Sequence, residues 1–365
     1  MKVLLFAIRS SHKKFFTELK KEDNSLFDIV FPKYKFSLSI HGLKDLNRIN
    51  LKPAVDFAIE EFRIKVAPFP RAILRIYFNL LTRFYYLKYY SLIDKKYDAI
   101  LLWNGGKCRQ RVAIEIAKLH NIETMFFENG LLPNRLVLDT KGINADNSVP
   151  RDRGFFENYQ NLLELPDTLI PRRPKNQKKF EASLETLPDS FIFVPFQVDS
   201  DTQIITNSQW VKNMRQLFDI IELLSTDTNY NFILKEHPSS SRNYPDLHNR
   251  ANKLDNLSFA NGYATQELIE RSLAVITINS TVGVESLLFK KRVIVLGNAF
   301  YRIDGITKGV NELEGLKEVV LKLESWQFEE KLVENFLKYL YYDYLIKKDD
   351  KLYNHFYTFI KRSLR

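Results

Sequence analysis

The chain has 365 residues, and 54 Lys and Arg against 44 Asp and Glu leave a formal charge of +10 with histidine neutral. That length suits two domains rather than one, while 45% hydrophobic residues with only 12 Gly and 13 Pro exclude a disordered or low-complexity chain. A single cysteine, Cys108, excludes an intrachain disulfide framework and a cysteine-based zinc site, and makes the reducing cytoplasm the expected compartment.

Lys2 followed by the apolar run 3–8 has the outline of a signal peptide, but the run is shorter than the roughly 7 to 15 residues of such a segment and no small-residue cleavage site follows. It reads as a buried first strand. Further strands are expected at 27–31, Ala99–Trp103 and 124–127, with a helical repeat of apolar residues at 111–118. Residues 166–188 hold Pro171 and Pro174 and few large apolar side chains, as a domain boundary should. Alternation resumes with strands at 191–194, Phe232–Lys235, 273–278 and 292–296, and helices at 210–224 and Thr265–Arg271. Strands alternating with helices predict two α/β domains with mainly parallel sheets.

Two aromatic and basic regions, 63–97 and 332–365, have the composition either of interfacial helices on an anionic membrane or of partly buried helices with a basic outer face. No window reaches the roughly 18 apolar residues of a membrane span. No nucleic-acid-binding module accompanies the charge, so nucleic acid is not an expected partner.

Four segments place polar residues or glycine at the ends of apolar strands, where open α/β sheets bind ligands. In the first, Asn104, Gly105 and Gly106 lead into a helix with Lys107 and Arg109 close by, which suits either an anion or an ordinary turn. In the second, Glu128 ends a strand beside Asn129 and Gly130; it can act as general acid or base, bind a sugar hydroxyl, or cap a turn. In the third, Gln197, Asp199 and Asp201 follow a strand. Two carboxylates without a third ligand make a poor metal site; either can cap a helix, but both doing so is not expected. In the fourth, Lys235 and His237 end one strand and Asn279, Ser280 and Thr281 another, with Glu285 one turn inside the helix that follows. Hydroxyls and free N–H groups at that helix start suit a phosphate, and Glu285 a ribose diol; an ordinary capped helix start is the alternative.

Taken in order, ENGLLP (128–133), DTKGIN (139–144), SVPRD (148–152), PFQVDSDTQI (195–204), KEHP (235–238), INSTVGVESLL (278–288) and VIVLGNAFY (293–301) resemble the motifs of the bacterial capsule polysaccharide synthesis family, which contains retaining β-Kdo glycosyltransferases using CMP-Kdo. The resemblance spans about 98–301; the flanking segments carry no recognised motif. It implies a GT-B-like fold of two Rossmann-like domains with a cleft between them: an acceptor domain at 1–185, a CMP-sugar domain at 186–325, and C-terminal helices at 326–365 crossing back to the first domain.

By the same resemblance, Asp201 is the nucleophile with Asp199 as the alternative, Glu128 is the acid/base, and Lys235, His237, Ser280, Thr281 and Glu285 bind CMP. Asn104, Lys107, Arg109 and Gln197 are assigned to donor or acceptor. No cofactor or metal is expected, because a departing nucleoside monophosphate needs less charge compensation than a diphosphate. The implied partners are CMP-Kdo, a lipid-linked or oligosaccharide acceptor, an anionic inner-membrane surface with a cytoplasmic or peripheral location, and other capsule proteins. The competing readings are a sialyl or other nucleotide-sugar transferase of the same fold and a non-catalytic carbohydrate- or lipid-binding assembly factor.

Overall fold

The computed structural model describes residues 1–34, 38–66, 68–93, 95–166, 186–240 and 242–364. Its strands are β1 (Val3–Phe6), β2 (Phe27–Val30), β3 (Ala99–Trp103), β4 (Glu123–Asn129), β5 (Arg135–Asp139), β6 (Ile192–Pro195), β7 (Phe232–Lys235), β8 (Leu257–Phe259), β9 (Ala274–Thr277), β10 (Arg292–Val295), β11 (Lys308–Gly309) and β12 (Ile346–Lys347). They form two six-stranded sheets in two compact units.

The first unit comprises Met1–Gly130, Asn134–Ser148 and Leu345–Arg365. Its sheet runs β12-β5-β4-β3-β1-β2, with β1 to β4 parallel, β5 antiparallel to β4, and β12 antiparallel to β5. The run VLLF of β1 is buried throughout, as expected of a central strand covered on both faces. The chain turns back from β4 to β5 at Gly130, whose N–H donates to the Arg135 carbonyl at 2.9 Å. A Cβ on Gly130 would lie 2.1 Å from that same oxygen, so the turn requires glycine. The final helix, Leu352–Ser363, buries Leu352, Phe356 and Ile360 on one stripe against Phe16, Leu19, Phe127 and Leu138.

The second unit comprises Leu131–Pro133 and Val149–Tyr344, and its sheet is parallel with the order β11-β10-β9-β6-β7-β8. Numbered from the unit's own first strand this is 6-5-4-1-2-3, the doubly wound order of dinucleotide-binding folds. Alternate residues of β6 enter different clusters: Ile192 and Val194 join Leu217, Ile221 and Ile276, while Phe193, with Phe191 just ahead of the strand, joins Val275 and Leu268.

The two α/β units bear out the expected fold class. The expected boundary at 185/186 lies outside the described residues. Within them, residues 149–166 and the helix Glu330–Tyr339 pack with the second unit, and only Leu345–Arg365 joins the first. The expected helix at 210–224 is Met214–Asp227, preceded by a separate helix Thr202–Asn207. Asn213 decides that start, its Oδ1 accepting the Gln216 N–H at 2.9 Å. Among the described residues, no helix is long and apolar enough to cross a membrane.

Candidate functional site

In the second unit, strand order reverses between β6 and β9, and the residues just beyond their C-terminal ends meet there. Gln197 and Asn279, both buried, form a reciprocal amide pair: Gln197 Nε2 donates to Asn279 Oδ1 at 3.1 Å, and the Asn279 backbone N–H donates to Gln197 Oε1 at 3.1 Å. Asn279 Nδ2 donates in turn to the Gln203 and Asn207 carbonyls at 3.1 and 3.3 Å. One side chain therefore ties the ends of two strands to the helix that begins after Asp201. Gln197, assigned to donor or acceptor by the sequence, is part of this framework.

The two acidic candidates separate clearly. Asp201 is exposed and caps the helix Thr202–Asn207, Oδ1 accepting the Gln203 N–H at 2.8 Å. Asp199 is buried; its Oδ1 accepts the Met214 N–H at 2.8 Å, and its Oδ2 takes Arg242 Nη1 at 2.8 Å and the Tyr244 hydroxyl at 3.4 Å. Contrary to expectation, both carboxylates bond to helix starts, because each of two successive helices begins with unpaired N–H groups within reach of this loop. Asp199 holds Arg242 and the helix Met214–Asp227 in place and is committed to the interior.

At the end of β7, Lys235 does not stand free toward a ligand. Its Nζ donates to the carbonyls of Asn261 and Tyr263 at 2.8 and 2.7 Å, and burial pushes its ammonium down to about 8. His237 is half-buried, and its Nδ1 accepts the Ser239 N–H at 3.1 Å. Burial lowers its pKa below the ordinary imidazole value, with the Asp201 carboxylate opposing that shift. The ring is therefore neutral near pH 7 and carries its proton on Nε2, a donor for an anionic oxygen.

Between Lys235 and His237, buried Glu236 accepts from His248 Nε2 at 2.7 Å, and its backbone N–H donates to Asn261 Oδ1 at 2.8 Å. His248 stacks on Phe259 with ring centroids 4.0 Å apart. The sequence reading missed this support: partners 12 and 25 residues away follow no local period.

Beyond β9, Ser280 Oγ accepts the Val282 N–H at 3.2 Å, and Ser280 O accepts from the Tyr301 hydroxyl and, at 3.0 Å, from the Gly283 N–H. Thr281 is exposed at the N-cap of the helix Val282–Leu288, and Glu285 lies in its first turn, half-buried. A Cβ on Gly283 would stand 2.6 Å from the Tyr301 ring, so glycine admits the tyrosine that braces Ser280.

In the first unit, Glu128 is gripped by two asparagines: Asn104 Nδ2 donates to Oε1 at 2.8 Å and Asn144 Nδ2 to Oε2 at 3.4 Å. Asn104 and Asn144 both have positive φ, 71° and 52°, a conformation asparagine tolerates better than most residues. Asn144 ends the DTKGIN motif but was not among the site residues expected from the sequence. Asn104 and Glu128 are thus brought together, but Lys107 and Arg109 are not part of that cluster. Lys107 Nζ pairs with Glu61 at 2.8 Å, and the Arg109 guanidinium lies over the Tyr85 ring at 4.9 Å. Both serve the packing of helices in this unit, where the sequence had suggested a ligand. Among the described residues, no three His, Cys, Asp or Glu side chains converge as a metal site.

The family described as capsule polysaccharide biosynthesis protein matches residues 98–182 and 172–349. Protein FixF of Sinorhizobium fredii is 36% identical over 269 residues, covering 72% of this chain and 64% of FixF. The chain thus spans somewhat less than two thirds of that relative. The capsule polysaccharide export protein KpsS of Escherichia coli is 24% identical over 318 residues, 65% of this chain and 81% of KpsS. Among solved structures, Thermosulfurimonas dismutans KpsC, a beta Kdo 2,7 transferase, covers 95% of this chain and 92% of its own, with 16% identity and a TM-score of 0.48. With the family match extending over well more than half of its length, and taking in both Glu128 and the strand ends around Gln197 and Asn279, the chain belongs to the capsule polysaccharide biosynthesis protein family.

Proposed function

We propose that the chain is a retaining glycosyltransferase of capsule or other surface polysaccharide synthesis, moving β-Kdo from CMP-Kdo to a lipid or glycan acceptor. The observation that carries this reading is the set of groups beyond the C-terminal ends of β6, β7 and β9: an exposed Asp201, His237 with its Nδ1 taken by the Ser239 N–H, and the Ser280–Thr281 helix start held by Tyr301. Family membership supports the polysaccharide context.

In this reading the Asp201 carboxylate attacks the anomeric carbon as the bond to CMP breaks, giving a glycosyl-enzyme. An acceptor hydroxyl, deprotonated by Glu128, then displaces Asp201 with a second inversion and net retention. His237 Nε2–H and the hydroxyls of Ser280 and Thr281 bind the phosphate of CMP, and Glu285 the ribose. Lys235 contributes positive charge from behind, through an ammonium already anchored on backbone carbonyls. A departing monophosphate is served by these groups without a divalent metal.

The test is product analysis by mass spectrometry after incubation with CMP-Kdo and a panel of lipid and oligosaccharide acceptors. A Kdo-bearing product with the β configuration is expected, together with a thermal shift for CMP larger than for UDP or GDP. Stabilisation by UDP alone would replace the donor, and no transfer from any sugar nucleotide would replace the enzyme reading with that of an assembly factor.

A further inference from the structure

The helix Arg71–Tyr90 has two apolar faces. One buries Leu74 and Phe78, with partly buried Leu81, against Val55, Ala58 and Ile59 of the helix Lys52–Lys65. At about 100° per residue, Ile73, Ile76, Tyr77 and Leu80 fall on a second face, centred roughly 120° around the helix from the first. They stand 54, 66, 55 and 64% exposed. A single exposed leucine is ordinary, but four large apolar side chains at i, i+3, i+4 and i+7 make a second stripe that the fold itself leaves uncovered.

The charge around this stripe identifies what covers it. Between Phe62 and Ile93 the sequence has no Asp or Glu. Of the basic residues there, Arg63 and Arg71 pair with Glu60 and Lys65 with Glu61 of the helix Lys52–Lys65, while Arg75 and Arg83 lie farther along, beside the stripe. Arg75, Asn79 and Arg83, spaced four apart, form the row adjoining Ile76 and Leu80 and, together with Lys52, line a pocket of about 240 Å³. Arg75 keeps one contact to Asp56, Nη2 to Oδ1 at 3.1 Å, and Arg83 is exposed. A hydrophobic partner surface would match the stripe but not the guanidinium row. A layer with an apolar interior and anionic phosphates at its edge matches both.

We propose that this face docks on a bilayer containing anionic phospholipid. Ile73, Ile76, Tyr77 and Leu80 enter the boundary between headgroups and acyl chains, and the pocket of Arg75, Arg83 and Lys52 receives a lipid phosphate. Tyr77 suits the position, with its ring in the apolar layer and its hydroxyl at the headgroups. The inference rests on the first unit's surface alone, so it stands or falls independently of the transfer reading.

The test is co-sedimentation of the full chain with vesicles of phosphatidylglycerol and phosphatidylcholine, compared with phosphatidylcholine alone, at low and high salt and without donor. Binding to the anionic vesicles, weakened by salt, is expected. It should drop at least about tenfold in the double variant Ile76→Asp/Leu80→Asp and in Arg75→Gln/Arg83→Gln. A Tyr77→Trp variant, which keeps an aromatic ring, should show a blue shift of its added emission with anionic vesicles, so the proposal remains testable even if a charged variant fails to fold. Absence of vesicle binding, equal binding by both double variants, or an unshifted tryptophan would overturn it. So would double variants that dissociate a dimer in light scattering while still binding vesicles as the parent does.

Discussion

Gln197 and Asn279 exchange two hydrogen bonds of 3.1 Å where the order of strands in the second sheet reverses. Gln197→Ala leaves the buried Asn279 N–H and Oδ1 without their partner, a loss expected to cost about 1–3 kcal/mol. Asn279→Ala takes away the acceptor of Gln197 Nε2 and the donor to the Gln203 and Asn207 carbonyls, of which the second keeps the Asn298 N–H, so it should destabilise more. Denaturant titration of both variants measures the order; a milder effect for Asn279→Ala would remove it as the hub of this loop system.

The contrast between Asp199 and Asp201 separates framework from chemistry. Asparagine caps helices about as well as aspartate, so Asp201→Asn should keep stability within about 0.5 kcal/mol. If Asp201 is the nucleophile, transfer should nevertheless fall at least about a hundredfold while CMP still binds. Asp199→Asn turns an amide toward the Arg242 guanidinium and should lower stability by about 2 kcal/mol. An Asp201→Asn enzyme with normal turnover would assign the chemistry elsewhere.

For His237, the expected readout is CMP affinity by calorimetry. His237→Ala should weaken it, and unchanged affinity would count against a phosphate contact. Because burial holds the folded pKa below 6.5, the ring stays neutral above that value, and parent affinity should show no His237 titration from pH 7 to 8. Any dependence in that range should point instead to Lys235, held down to about 8, and vanish in Lys235→Met.

His12 gives a stability prediction in the first unit. Its ring stacks on Trp103 with centroids 4.7 Å apart, and burial, with Arg9 adding to it, holds its pKa at about 4 against 6.5 when unperturbed. The unfolded chain therefore binds the extra proton first as pH falls. The contribution of neutral His12 is complete above pH 6.5 and is lost on the way down to about 4, by at most about 3 kcal/mol. Thermal melts of His12→Phe should lack that part of the acid slope; identical slopes would place its origin in another group.

Gly283→Ala should force Tyr301 away from the Ser280 carbonyl, since the new Cβ would meet the ring at 2.6 Å. Overpacking of this kind costs about 1–3 kcal/mol. Weakened CMP binding should accompany the lower melting temperature, and Gly283→Ala combined with Tyr301→Phe should recover neither, because the ring itself is the obstacle.

Some of this was legible in the chain and some was not. Apolar runs such as 3–6 and 192–194 announced central parallel strands, because a strand covered on both faces must be apolar along its whole length. Neither β5, whose apolar run is only Leu136–Leu138 between Arg135 and Asp139, nor the two-residue β12 was expected from the sequence. β5 exists because the Gly130 turn returns it against β4, and β12 because the chain end comes back to pair Ile346 with Leu136. The candidate site divides the same way. Strand ends drew attention to Gln197, Asp199, Asp201, Lys235 and His237, but a polar residue at a strand end serves either a ligand or its own fold.

By itself, then, the sequence determined two α/β units, the family motifs and the strand-end position of each polar candidate, all of which follow from local periodicity and short spacing. Tertiary structure alone decided which candidates remain turned outward. Asp199 met Arg242, 43 residues away, and Lys235 met carbonyls 26 and 28 residues on, whereas Asp201 bonded to Gln203 in its own turn and stayed exposed. A buried charge must find partners wherever the fold brings them, and those partners are set by the packing of distant segments rather than by neighbours in the chain.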